Sequence, residues 1–239
     1  MRNKLTFALL LIALCAALLV PTPGSARRLY YAEEFYLYVM NLYYTNPNLE
    51  RNIRFMQWAL VSPFDNPVRS LSLIQTENDF ARYKTLFKMH VNMLIIDSTL
   101  QLARRYDKEH VYFFNLEWAK SLKESFAIAR YFYEVSLNYW DEVLKHTETL
   151  NGMEGRITLE EWEDEYELIR RGEFDYKKII DRQIERLEGR AAVVDAYLAR
   201  AEAEGKTGPA TDDGEAVSPA EGAPRSGSRT SRISLYSFP

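Results

Sequence analysis

Cysteine is almost absent from this chain. The one thiol, Cys15, lies inside the apolar run Leu5–Val20, so the rest of the sequence can hold no disulfide framework, no thiolate metal ligand and no cysteine nucleophile. Glycine is missing where it would matter most: none of the ten glycines falls between Arg27 and Asn151. That gap removes the material of hairpin turns and of phosphate-cradling loops. Histidine occurs three times, and neither a His-Glu-x-x-His zinc motif nor a Gly-x-Ser-x-Gly elbow is present. Prolines in the middle of the chain sit in "TNPN" (45–48) and "SPFDNP" (62–67), where they end one helix and start the next. The formal net charge is −4, and a mildly acidic protein does not advertise nucleic acid or anionic lipid as its partner.

The opening "MRNKLTFALLLIALCAALLVPTPGSARR" places Arg2 and Lys4 before the apolar run and follows it with Pro-Thr-Pro-Gly and small residues. This is the order of a secretory signal peptide. Gly24 and Ala26 suit a cut after residue 26, which assigns 1–26 to the signal and starts the mature chain at Arg27. The competing reading is an uncleaved anchor, for which the run is slightly short of the about 20 apolar residues a bilayer needs. Leu14 before Cys15 and Ala-Ala-Leu-Leu-Val after it argue against lipidation. Cleavage leaves 28 basic and 34 acidic residues, a net charge of −6. The expectation is a secreted or periplasmic protein with no nucleic-acid partner and no stable membrane insertion after processing.

At the other end, residues 205–239 are rich in Gly, Pro, Ser and Ala with few large apolar side chains. Such a segment buries too little surface to offset its ordering entropy, and disorder is expected. It closes on "ISLYSFP", where Ile233, Leu235, Tyr236 and Phe238 form an apolar motif on a tether, a common device for docking a partner.

Residues 27–204 are expected to form a single all-α domain of about six or seven helices, built on long antiparallel hairpins of bundle or tetratricopeptide-like kind. From Thr76 a helix runs without a break to about 107, capped by Thr76 and Asp79. Phe80, Tyr83, Phe87, Val91, Leu94 and Leu102 make one stripe, and Leu86, Met93, Ile96 and Leu100 a second. Lys84, Lys88, Asn92 and Thr99 are left for the solvent side. The next helix carries Leu122, Phe126, Ala129, Tyr133, Leu137, Trp140 and Leu144 on one side and Phe132, Val135, Tyr139 and Val143 on another. Asn151 and Gly152 suit its end. Thr158 with Glu161 is expected to cap "TLEEWEDEYELIRR". The final helix, 175–204, has a narrow seam of Ile180, Ile184, Leu187, Ala191, Val194, Leu198 and Ala201. That heptad spacing resembles a coiled-coil strand and serves equally for packing back on the domain or for pairing two copies through 180–201.

Chemistry is sparse by comparison. His90 and Asp97 fall near one helix face and are expected to be satisfied polar groups in a helix interface. "DKEH" (107–110) offers one Asp-x-x-His and "EVLKH" (142–146) a spacing of four, which is not the paired Glu-x-x-His of a di-metal bundle. The acidic run Glu160–Glu167 suits the positive end of a helix. No catalytic, metal-binding or cofactor-binding residue is assigned, no cofactor is expected, and the chain is not expected to be an enzyme. A carboxylate site assembled from distant residues would leave no linear trace, and a carrier of a small apolar ligand or lipid is the alternative from another class.

The segment "LYYAEEFYLYVMNLYYTNPN" (29–48) holds six tyrosines and a phenylalanine. Two faces of its helix are apolar, one with Tyr31, Phe35, Val39 and Leu42 and one with Tyr36, Met40 and Tyr43. One neighbour cannot cover both, so Tyr36, Tyr43 and Tyr44 are candidates for a docking surface, where tyrosine offers contact area with a polar tip. The segment "SFAIARYFYEVSLNYWDEVLKH" (125–146) resembles the second helix of a tetratricopeptide unit, without a second copy at about 34 residues. Finally, "YVMNLYYTNPNLERNIRFMQWALVSPFDNPVRSL" (38–71), "YKTLFKMHVNMLIID" (83–97) and "YFFNLEWAKSL" (112–122) together resemble the exported helical proteins of the spirochaete periplasmic flagellar apparatus, its collar and coiling components. The resemblance covers about 31–150 and implies a structural, non-enzymatic protein working through contacts with other proteins of a periplasmic assembly.

Overall fold

The structure, a computed structural model, describes residues 28–43, 48–108 and 115–205, with only the backbone of Tyr43. Among the described residues there are six α-helices, one 3₁₀ turn at Pro67–Arg69 and no strand. The helices are α1 (Ala32–Tyr43), α2 (Leu49–Val61), α3 (Glu77–Tyr106), α4 (Leu116–Asn151), α5 (Glu160–Arg170) and α6 (Tyr176–Ala203).

Short polar side chains set most of the starts. Asn48 accepts a hydrogen bond from Arg51 N at 2.9 Å before α2, and Asp175 accepts from Lys178 N at 3.4 Å before α6. At α3 the box is reciprocal, as expected: Asp79 N donates to Thr76 Oγ1 at 3.1 Å, and Thr76 N donates to the Asp79 carboxylate at 2.9 Å. Two N–H groups without helical partners are thereby satisfied. The expected twin at Thr158 and Glu161 does not form. Leu159 holds the cap position of α5 without a side-chain hydrogen bond, because the Thr158 hydroxyl is engaged with Ser72 Oγ at 2.9 Å and Leu73 N at 3.4 Å. Glu160, Glu161 and Glu163 instead supply negative charge to the first turn, which favours a helix N-terminus. α4 ends at Asn151, as read, while the left-handed residues among those described are Gly155 at φ 88°, Gly172 at φ 70° and Gly205 at φ 69°. Gly172 follows the C-cap Arg171, the place where a residue without Cβ costs least.

The described residues fall into two compact units, one drawn from those up to 95 with 142–171, the other from those of 96–141 with 172–205. Both draw on α3 and α4. In the first unit α1 packs on α2, and Tyr83, Phe87, Met56, Leu86, Met89 and Leu150 are fully buried. α1 is held by Ala32 N donating to Pro63 O at 2.9 Å and by the buried Glu33 carboxylate. That carboxylate accepts from Asp65 N at 3.1 Å and from the Tyr83 hydroxyl at 3.2 Å. Burial, reinforced by Glu33, pushes the Tyr83 phenol well above the usual range. Arg82 and Glu163 form a buried fork, Nε to Oε1 at 2.8 Å and Nη2 to Oε2 at 2.5 Å.

In the second unit, Thr99 Oγ1 and Ser136 Oγ meet at 2.7 Å, and Ser125 donates to Tyr106 O at 2.7 Å. The falling number on α3 against the rising one on α4 is the antiparallel pairing that the hairpin reading requires. The α6 seam packs back within this unit: Ile180, Leu187, Val194 and Ala201, seven apart, are buried, with Ile184, Ala191 and Leu198 half-buried beside them. Arg190 reaches Asp107, and Tyr176 donates to Asp97.

Two assignments of face are corrected. Asn92 and Thr99, expected toward solvent, are each 2 % exposed. Asn92 Nδ2 donates to Lys88 O at 2.8 Å and Thr99 Oγ1 donates to Ile96 O at 2.9 Å, so their polar atoms are satisfied by the preceding turn and can be buried at little cost. On α4 the buried line runs Phe126, Ala129, Tyr133, Ser136, Trp140, Val143, Thr147 and Leu150. Leu137 and Leu144 lie off it, Leu144 being 43 % exposed. Spacings of three and four hold throughout, and Ser136 and Thr147 occupy core places because each hydroxyl bonds back to a carbonyl four residues earlier, at 2.9 Å.

Candidate docking site

The first unit contains a buried polar cluster and an exposed aromatic groove. In the cluster, His90 of α3 is 2 % exposed and stacks on Trp162 of α5 with centroids 4.8 Å apart. Its Nδ1 lies 2.7 Å from a Glu165 oxygen, and its Nε2 lies 3.3 Å from the Tyr36 hydroxyl. Both ring nitrogens thus have a hydrogen-bond partner, one on α5 and one on α1. Nearby, desolvation lifts the Glu161 carboxyl above its ordinary range, against the pull of His90. Every polar atom of the imidazole is committed within the protein, so the group holds α1, α3 and α5 together. His90 and Asp97 are thus both satisfied within helix interfaces, and no group of three or more histidine or carboxylate side chains placed to hold a metal occurs among the described residues.

Tyr36 belongs to this cluster. Its ring meets Phe87, His90 and Trp162 edge-on at centroid distances of 5.5, 5.8 and 5.7 Å, and the side chain is half-buried. The other candidates for partner binding, Tyr44, Ile233, Leu235, Tyr236 and Phe238, lie outside the described residues, as does the Tyr43 side chain. The sequence reading did not single out Phe35, Tyr38, Phe55 and Trp58 as a group, and these make the groove. The signal was present in the spacing: Phe35 and Tyr38 are three apart on α1, Phe55 and Trp58 three apart on α2, and each pair shares a helix face.

The groove lies along the α1–α2 pair. Arg28, Leu29, Phe35, Tyr38, Phe55, Trp58 and Ser62 line an open cavity of about 850 Å³. Its aromatic rings support one another. Phe55 sits 4.7 Å from Tyr38 and 5.1 Å from Trp58, and Phe35 sits 5.8 Å from Trp58, within the range of favourable offset and edge-on contacts. The α1 backbone that carries them is fixed by Glu34, whose carboxylate accepts from Tyr30 N at 2.7 Å and Tyr31 N at 3.2 Å. Tyr38 remains 36 % and Trp58 44 % exposed. The lining is a wall of rings with one guanidinium at its edge. It can offer apolar contact area and one cationic hydrogen-bonding fork.

Fold and groove together define an all-helical protein of paired long helices with a surface aromatic groove. The chain belongs to the family described as "Domain of unknown function (DUF8513)", whose model matches residues 78–197. The match takes in α3, α4, α5 and most of α6, while the groove helices precede it. No curated protein and no solved structure matches the chain.

Proposed function

We propose that this chain is an exported structural or adaptor protein of the bacterial envelope, acting by surface contact and not as an enzyme. The observation that supports this reading is the groove: four aromatic side chains held in place on the protein surface. Apolar surface of that kind is a cost to a protein that meets nothing. In this reading the signal segment 1–26 exports the chain to the periplasm, residues 27–204 form the helical frame, and the tethered Ile233, Leu235, Tyr236 and Phe238 recruit other proteins of the assembly. The resemblance to spirochaete periplasmic flagellar proteins supports a structural assembly as the setting. Tyr43 and Tyr44 are further candidates for partner contact.

The test is affinity capture from the native envelope with the full chain and with residues 230–239 deleted. The expected result is a defined set of co-purifying proteins that is lost on deletion; an unchanged set removes the tail from the mechanism. A second reading, a carrier of a small apolar ligand, is favoured by the groove's volume, since small-molecule pockets span about 300–1,000 Å³. Native mass spectrometry separates the two. A stoichiometric small-molecule adduct would replace the adaptor reading by the carrier.

A further inference from the structure

The outer side of the α1–α2 pair is apolar well beyond the groove. α1 turns Leu37 and Tyr38 outward, α2 turns out Trp58 and Val61, and Tyr30 stands just before α1; Val61 is 81 % and Tyr30 64 % exposed. Charge on the α1–α2 segment balances, with Arg28, Arg51 and Arg54 against the carboxylates. Residues 28–61 hold three carboxylates: Glu33 is buried, the Glu34 carboxylate is spent on the amides of Tyr30 and Tyr31, and only Glu50 is left facing solvent. Arg28 and Arg54 are exposed and make no hydrogen bond or ion pair with the described residues. The net negative charge of the chain therefore does not extend to this face.

We infer that the α1–α2 face seats in the interfacial layer of a lipid bilayer, with Tyr38 and Trp58 at headgroup level, Leu37 and Val61 below them, and Arg28 on a lipid phosphate. Three features favour lipid over a protein occupant. Tryptophan and tyrosine with an apolar body and a polar tip partition to the membrane–water interface, and these are the exposed aromatics here. The exposed Arg28 and Arg54 match the phosphate layer, where arginine makes charge-assisted bonds. The third is reach. Val20, the last residue of the apolar run, precedes Arg28 by eight residues, at most about 28 Å of extended chain. Until the signal is cut, that run in the membrane holds the groove close to the bilayer surface. No described helix is long and apolar enough to cross a membrane, so the contact made by this face is peripheral. The proposal rests on the export half of the functional reading and adds what the groove touches.

The test uses the full chain with phosphatidylcholine vesicles carrying bromine near the headgroup end of the acyl chains, reading tryptophan fluorescence. Trp140 and Trp162 are 3 % exposed, while Trp118, 50 % exposed and in the other unit, is an internal control. The expected result is quenching that disappears in Trp58→Phe, persists in Trp118→Phe, and falls several-fold in the double variant Leu37→Asp with Val61→Asp. Those two residues are exposed, and unchanged thermal unfolding of the double variant checks that the fold is kept. Absence of quenching, or quenching that survives Trp58→Phe, overturns the proposal. So does a photo-reactive residue in place of Tyr38 that cross-links to protein and not to lipid in the native envelope. Tail-dependent capture of partners is read separately. Its loss with the quenching intact refutes the adaptor reading alone, and the reverse refutes only the lipid contact.

Discussion

Breaking the Arg82–Glu163 fork offers the sharpest test of how the first unit is held together. The two side chains are 4 % and 1 % exposed. Arg82 also donates to Met153 O at 3.3 Å, and Glu163 accepts from Ile157 N at 3.0 Å. The bond to Glu163 holds the guanidinium above its ordinary range despite burial. Arg82→Met leaves a carboxylate in a dry site; Glu163→Gln leaves a guanidinium there with half its acceptor. Removing one member of a buried pair costs about 3–5 kcal/mol, because the partner stays charged and desolvated. At about 2–4 °C per kcal/mol for a chain of this size, the midpoint should fall by about 10 °C. Replacing both by Met removes the two desolvation costs with the attraction, so the double variant should be more stable than either single one. Urea unfolding followed by the fluorescence of Trp162, which lies in the same unit, measures all four corners of the cycle. Single variants costing less than about 1 kcal/mol, the worth of a solvated pair, would refute the view that this pair is dry. Additivity of the two losses would refute the coupling.

Three further outcomes are expected. Tyr36→Ser removes a ring that meets Phe87, His90 and Trp162, and should cost about 2–3 kcal/mol in denaturant unfolding, as deletion of a partly buried aromatic does; a neutral effect would return Tyr36 to the docking surface. Gly189 lies inside α6 with open space around its Cα, so Gly189→Ala should raise stability by about 0.5–1 kcal/mol, whereas Gly172→Ala, at φ 70°, should lower it. The His146 imidazole is held below its ordinary pKa by burial and then by Lys88. The unfolded chain therefore takes up its proton first as pH falls. This residue's stabilising contribution is complete above about pH 6.5 and is lost below it, and the difference in unfolding free energy between wild type and His146→Gln, followed from pH 8 to 5, should show that slope.

Much of the architecture was written in spacing. A glycine-free stretch of this length leaves only helix as an economical structure, and Thr76 with Asp79 announced the start of α3 because a cap needs only neighbours in sequence. Where a choice depended on distant neighbours, local pattern failed. Thr158 had the right partner at the right distance for a box, but Ser72, 86 positions away, took its hydroxyl. Asn92 and Thr99 looked solvent-facing because polarity was taken for exposure, whereas a side chain that can bond to its own helix is free to be buried. The aromatic content of α1 was legible and its division was not. Phe35 and Tyr38 became a groove only because α2 set Phe55 and Trp58 beside them, and Tyr36 turned inward to a histidine 54 residues on.

The way the chain passes between its two units has a practical side. It crosses at 95/96, 141/142 and 171/172, and the first two crossings fall in the interiors of α3 and α4, where every backbone amide is engaged in its helix. Only Arg171–Gly172 is a turn that a protease could enter. A single nick there would release α6 from covalent attachment to α5 while its buried line of Ile180, Leu187, Val194 and Ala201 still held it in place, so the two pieces should elute together until denaturant is added. Neither unit can be expressed by cutting at a linker, since on two of the three passages no linker exists; fragments meant to isolate the groove would have to be cut through a helix, and each would begin or end with an exposed core.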